Sequence, residues 1–537
     1  MLVKQESTSR LSPLGTLLAQ SLATIDQYET RLAQLRETET IHINTVGSKL
    51  TAAYEQLRNA SESNEGGNLL RQKAIRRFFV RTLSFHEKIA TKHMGDELLT
   101  ELTQAGYLPN NYLTETELKA VNAHIKRYYG AFWKYIKIEQ NSNKRERMRE
   151  WIFDVLSVRC EQVLRPNVRA ASFTNFAYTY LQPLIPIPEI IEADEKIQPD
   201  DFPILLYIAI QKTILQLNRA TIRAGLIDSY RQDITLLHNF EAFNSRIDYL
   251  LDTKTAARLT RVVNRNGATL RMLQSGFFAK KGQLASKDLA SENTFGYALG
   301  KHVEHEYTLL DKMLDSGIGK SIIFLLITKS IIGLAIEVPY DLIVEGHIAW
   351  LPLVLNLFFP ALFIAFSRLT LTTPSERNTE AIIGIATRML FVTGTIEKNP
   401  IKIKRKTSST GFTIAYGFMF ALAFSGLTYI LYLLGFNLVQ GGIFFVFLST
   451  ASFLAFRLSE QIREIEAISL SQGSMALLRD IIYMPFTYVG QQISSRYAKM
   501  NIVAATLDTL IEMPLKSLLR VARQWTTFLN SKKDDLL

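Results

Sequence analysis

Residues 411–456 contain no Asp, Glu, Lys, Arg or His, an apolar run of 46 positions. As one helix it would extend about 69 Å, against a hydrocarbon core of about 30 Å. One pass cannot use that length, but two can. The break is predicted at LLGFNLVQGG (433–442), where Gly435, Asn437, Gly441 and Gly442 favour helix ends. This gives spans over 411–434 and roughly 438–456.

A second pair is predicted upstream. Residues 347–366 (HIAWLPLVLNLFFPALFIAF) are free of formal charge at neutral pH and long enough to span, and a membrane helix tolerates Pro352 and Pro360 when neighbours satisfy the freed carbonyls. Residues 321–338 (SIIFLLITKSIIGLAIEV) carry Lys329 near the centre and Glu337 near the far end. The large apolar side chains, at about −0.5 kcal/mol each, outweigh one central Lys at about +3 kcal/mol. Basic residues then alternate as four spans require. The connection 339–346 has no Lys or Arg and 367–409 has eight; the turn 435–437 has none and the tail after Phe456 has ten. Basic loops mark the cytoplasmic side, so both termini are expected there, in a cell or inner membrane.

Before the spans the pattern is helical and polar. Leu11, Leu14, Leu18, Ile25, Tyr28, Leu32 and Leu35 fit heptad a and d positions, and the phase changes at Ile43. Residues 1–60 therefore read as a coiled-coil-like arm or as a long helix packed within its own chain. A helical subdomain follows over 69–181. QPLIPIPEIIEADEKIQPDDFP (182–203) has five prolines, which cannot continue a helix, and marks a linker. A second helical subdomain spans 204–315. The two membrane hairpins occupy 318–366 and 411–456, joined by a basic amphipathic connection (367–410), and a basic amphipathic tail covers 457–537. The fold class is all-α.

Composition adds limits rather than identity. The 537 residues carry a net charge of +11, and the single cysteine, Cys160, excludes an intramolecular disulfide. No secretory signal is expected from MLVKQESTSRLSPLG, which lacks an apolar core. The excess of base suits an anionic inner leaflet. Lys402, Lys404, Arg405 and Lys406 are expected at the membrane interface, as are Lys516, Arg520, Arg523 and Trp525, whose helix projects bases opposite an apolar face.

Motifs that could carry chemistry fall short. GIGKS (317–321) lacks the first glycine of a phosphate-binding loop and follows a helical pattern, not a strand. His302 and His305 sit one turn apart, but a catalytic zinc site needs a third ligand. In 125–151 aromatics alternate with bases, yet Val121, Ile125, Tyr128, Phe132 and Ile136 keep the spacing of a core-facing stripe, which argues against nucleic acid. Cys160 has no nucleophile motif around it. No cofactor is expected.

The intramembrane ionisable groups stand out, because charge there is costly and tends to mark function. Lys329 and Glu337 are eight residues apart, about 80° around a straight helix, which forbids a direct ion pair. Asn356 is the polar candidate in the second span. Together these features suggest a non-enzymatic, membrane-anchored scaffold or binding protein. Its cytosolic helices would engage a protein partner or a second copy. A transporter or channel component using Lys329, Glu337 and Asn356 is the alternative, and a membrane enzyme the third.

Overall fold

The computed structural model describes residues 10–36, 40–43, 51, 52, 55, 67–83, 88–186, 197–369, 371, 373–391, 401, 410–468, 483–495 and 525. Among them the chain is helical and has no strand; Leu11–Phe391 and Thr40–Thr114 form isolated bridges. Two compact units result, one built on residues 13–264 and the other on residues 265–396 and 402–501.

The first unit contains α1 (Pro13–Arg36), α2 (Gly67–Thr82), α3 (Met94–Gln104), α4 (Glu115–Ile138), α5 (Ser142–Leu164), α6 (Val168–Leu181), α7 (Phe202–Thr213), α8 (Arg219–Ser229) and α9 (Leu237–Asp252). Asparagine and threonine caps start several of these helices by accepting otherwise orphaned amides. Thr114 and Glu117 form a full capping box on α4, and Asn141, Asn167 and Asn218 cap α5, α6 and α8. The stripe Val121, Ile125, Tyr128 and Phe132 is buried, with Ile136 packed at its edge. Its rings therefore serve the core, as the helical spacing implied. Burial of α1 at Leu18, Leu22 and Ile25 is against α6 of the same chain, where Arg169 grips Glu29 through two bonds of 2.7 and 2.8 Å. This packing lies within one chain, and α1 ends at Arg36.

Several of the polar groups buried here pair with one another. Arg71 pairs with Glu161, Gln72 donates to Ser157 at 2.6 Å, and Arg223 reaches Asn244 at 3.0 Å and Asp248 at 2.5 Å. Cys160 is wholly enclosed, and burial pushes its thiol well above the usual range, which makes it inert.

After α10 (Lys254–Arg265), the second unit holds α11 (Ala268–Leu273), α12 (Glu292–Glu345), α13 (Trp350–Arg368), α14 (Glu376–Leu390), α15 (Thr410–Leu433) and α16 (Leu438–Glu464). Four of these, α12, α13, α15 and α16, are long and apolar enough to cross a membrane. Helices α12, α13 and α16 pack on one another through Leu314, Leu325, Ile364 and Ala451. By contrast α15 leaves Ile414, Phe418 and Leu422 exposed, a surface that suits acyl chains rather than water. Trp350, Tyr429 and Tyr432 lie near one end of the apolar region, as aromatic belts do at headgroups.

Two breaks explain the chain path. The opening run is interrupted where expected: α15 stops at Leu433, Gly435 takes φ 78°, and Asn437 caps α16 in a box with Gln440. Upstream, however, residues 339–346 are not a connection. α12 continues through Pro339 to Glu345 and ends on Gly346 at φ 70°. Proline removes one amide, and π turns at Gly333–Glu337 and Asp341–Glu345 are the local adjustment that keeps the helix going.

Candidate functional site: a buried polar cluster among the apolar helices

Lys329, Glu337 and Asn356 converge. Lys329 Nζ donates to Glu337 Oε1 at 2.5 Å, and Asn356 Nδ2 donates to Glu337 Oε2 at 2.9 Å and to the Gln440 carbonyl at 3.2 Å. The ion pair corrects the straight-helix expectation. A π turn takes an extra residue into the helix, so an eight-residue spacing rotates like seven and returns to within about 20° of the same face. The turn at Gly333–Glu337 lies between the partners and supplies that rotation. Lys329 also sits 4.8 Å from the Phe447 ring centre, adding a cation–π contact.

The cluster extends to residues the sequence reading left out. Asp341 accepts from Gln440 Nε2 at 2.9 and 3.1 Å, from Asn437 Nδ2 at 3.0 Å and from the Ala349 amide at 3.2 Å. Asn437 Nδ2 also reaches Glu345 Oε1 at 2.9 Å. Glu337, Asp341, Asn356 and Gln440 are all 0% exposed, and Lys329 2%. Asp341 was missed because its segment reads as a loop, and Gln440 because a glutamine beside two glycines reads as a turn. The periodicity signal was present: Lys329, Glu337, Asp341 and Glu345 recur at intervals of eight, four and four.

Chemically the arrangement is closed. Both oxygens of Glu337 and both of Asp341 are engaged by donors, and the Lys329 charge is neutralised at contact distance. Asn356 Oδ1 is the cluster's one orphaned atom among the described residues.

The remaining sequence candidates do not gather into a site. His302 is buried and hydrogen-bonds Ser275 through Nε2 at 2.8 Å, whereas His305 is exposed, so the two do not face a shared point. Among the described residues no group of three His, Cys, Asp or Glu is placed to hold a metal. GIGKS lies inside α12. Trp525 is 62% exposed; Lys402, Lys404, Arg405, Lys406, Lys516, Arg520 and Arg523 lie outside the described residues.

The first unit adds a cleft of about 550 Å³ between α4, α5 and the turn after α8. Arg159 clasps Asp228 through both terminal nitrogens at 2.6 Å, and Arg127 donates to Asp233 at 2.7 Å. Burial, then the charges of Arg159 and Arg127, hold His124 below its ordinary pKa, so it is neutral at pH 7. Arg231 adopts φ 50°, a left-handed conformation rare outside glycine. These residues come from three distant stretches, which is why no local motif announces the cleft. No protein-family model, curated protein or solved structure matches the chain.

Proposed function

We propose that this is a multi-pass membrane protein acting as a non-enzymatic anchored binding protein. The four apolar helices form two antiparallel hairpins, both termini face the cytoplasm of a cell or inner membrane, and basic segments rest on its anionic leaflet. The helical first unit engages a protein partner or a second copy. One observation carries this reading: every carboxylate oxygen of Glu337 and Asp341 already accepts from a donor of the protein, and Lys329 is paired with Glu337, which leaves little for a passing solute to bind. The cluster then acts as a polar clamp across α12, α13 and α16, and recognition is left to the water-facing unit with its cleft.

Asn356 Oδ1 favours the second reading, a transporter or channel component, because an unpaired acceptor at that depth invites water or a cation. The two readings separate in full-length protein. Crosslinking in native membranes, followed by mass measurement of the purified complex, is expected to give a defined hetero- or homo-oligomer, and proteoliposomes are expected to pass no ion or solute. Flux that Lys329→Met abolishes while folded yield is retained would reverse the assignment.

A further inference from the structure

Residues 483–495 (YMPFTYVGQQISS) are helical, and their contacts set them among apolar helices, within a stretch the sequence reads as a basic amphipathic tail. The Phe486 ring lies 4.8 Å from Phe424 of α15 and 6.3 Å from Phe445 of α16, and Tyr488 lies 6.5 Å from Phe420. Gly490 sits so close to α16 that an added Cβ would fall 2.1 Å from the Ser449 carbonyl oxygen and 2.8 Å from Phe453 Cβ. Each of these partners belongs to an apolar helix long enough to cross a membrane.

The order of contacts gives direction. Position 486 meets Phe445 and position 490 meets Ser449 and Phe453, so the segment runs parallel to α16. From Phe445 to Arg457, the first charge on α16, the axial distance is about 18 Å. The segment therefore begins deep among the spans and descends towards the level of Arg457. Its thirteen residues rise about 20 Å, too short for a hydrocarbon core of about 30 Å.

Chemistry agrees with depth. Residues 481–495 contain no charge; Arg479 and Asp480 precede them and Arg496 follows. Residues 465–480 contain no apolar run of spanning length that could make a separate crossing. The outward side chains Met484 and Tyr488 are 49% and 51% exposed and suit lipid. Inward, Phe486 joins the cluster of Leu431, Phe436, Phe444 and Leu448.

We propose that residues 483–495 form a re-entrant membrane helix: the chain enters the bilayer from the basic side after α16 and returns to that side, presenting Met484 and Tyr488 to acyl chains. Small residues at the crossing let the two backbones touch, the packing mode that membrane helices use in place of hydrophobic exclusion. The tail would thus hold α15 and α16 together from within the membrane rather than lie on its surface.

Single cysteines in the full-length protein test this, with Cys160 left in place because it is fully buried. Ile468→Cys and Ser495→Cys are expected to react with a membrane-impermeant maleimide from the same face. Tyr488→Cys is expected to resist that reagent, and a bimane attached there should be quenched by lipids carrying a nitroxide on the acyl chain. Equal labelling at 488 and 495 without acyl-chain quenching would make the segment a surface helix and overturn the proposal. Labelling of 468 and 495 from opposite faces would overturn it in favour of a crossing. In a folded Gly490→Val variant, loss of the quenching at 488 would confirm that the seat on Ser449 holds the helix in; undiminished quenching would contradict that seat.

Discussion

Glu337→Gln is expected to cost the second unit about 3–5 kcal/mol, because it leaves the Lys329 ammonium buried with no opposite charge. The substitution keeps size and shape, so the loss reports charge rather than a cavity. Asn356 would still find an acceptor in the new amide oxygen, and the Phe447 face offsets only a fraction, about 0.5–2 kcal/mol. The check is unfolding of the full-length protein in mixed micelles, followed by helical circular dichroism. A loss below about 1 kcal/mol would mean that water reaches Lys329 and softens the charge, the condition a conduction path needs.

The second large effect is expected in the first unit. Glu161→Gln breaks the ion pair between Glu161 and the buried Arg71 guanidinium, 3% exposed, again at about 3–5 kcal/mol. Arg71 and Glu161 join α2 to α5 beside the Gln72–Ser157 bond, so the damage falls on the central packing of that unit. The exposed pair Lys119–Glu115, 72% and 74% exposed, is the control: Lys119→Ala should change nothing measurable. Thermal unfolding of the three proteins side by side checks the ranking. Equal effects of Glu161→Gln and Lys119→Ala would show that the buried pair is solvated in solution.

Much of this architecture is legible because long apolar runs and helical periods are local signals. Hydropathy marks four helices, and Gly435 with Asn437 marks the break between the last two, since a positive φ and a capping side chain belong there. The stripe of α4 was legible because its period is local. What failed depended on departures from an ideal helix. Pro339 reads as a stop, yet π turns carried α12 past it and rotated Glu337 onto Lys329. The cluster's other half, Asp341 and Gln440, lies 99 positions apart in sequence, and only the packing of α12 on α16 brings them together. Segment 483–495 has the length of a buried soluble helix, and nothing local tells its partners. The cleft at Arg127 and Arg159 was hidden likewise, since its walls come from α4, α5 and a turn after α8.

The proposed clamp is tested most directly by the stability of Lys329→Met, Glu337→Gln and the double variant, compared with the unaltered protein. The expected result is strong coupling: each single change is costly, and the double variant recovers more than about 2 kcal/mol of the summed loss, since it removes both buried charges together. Losses that simply add would contradict the account, because they would mean that Lys329 and Glu337 do not depend on each other within the membrane.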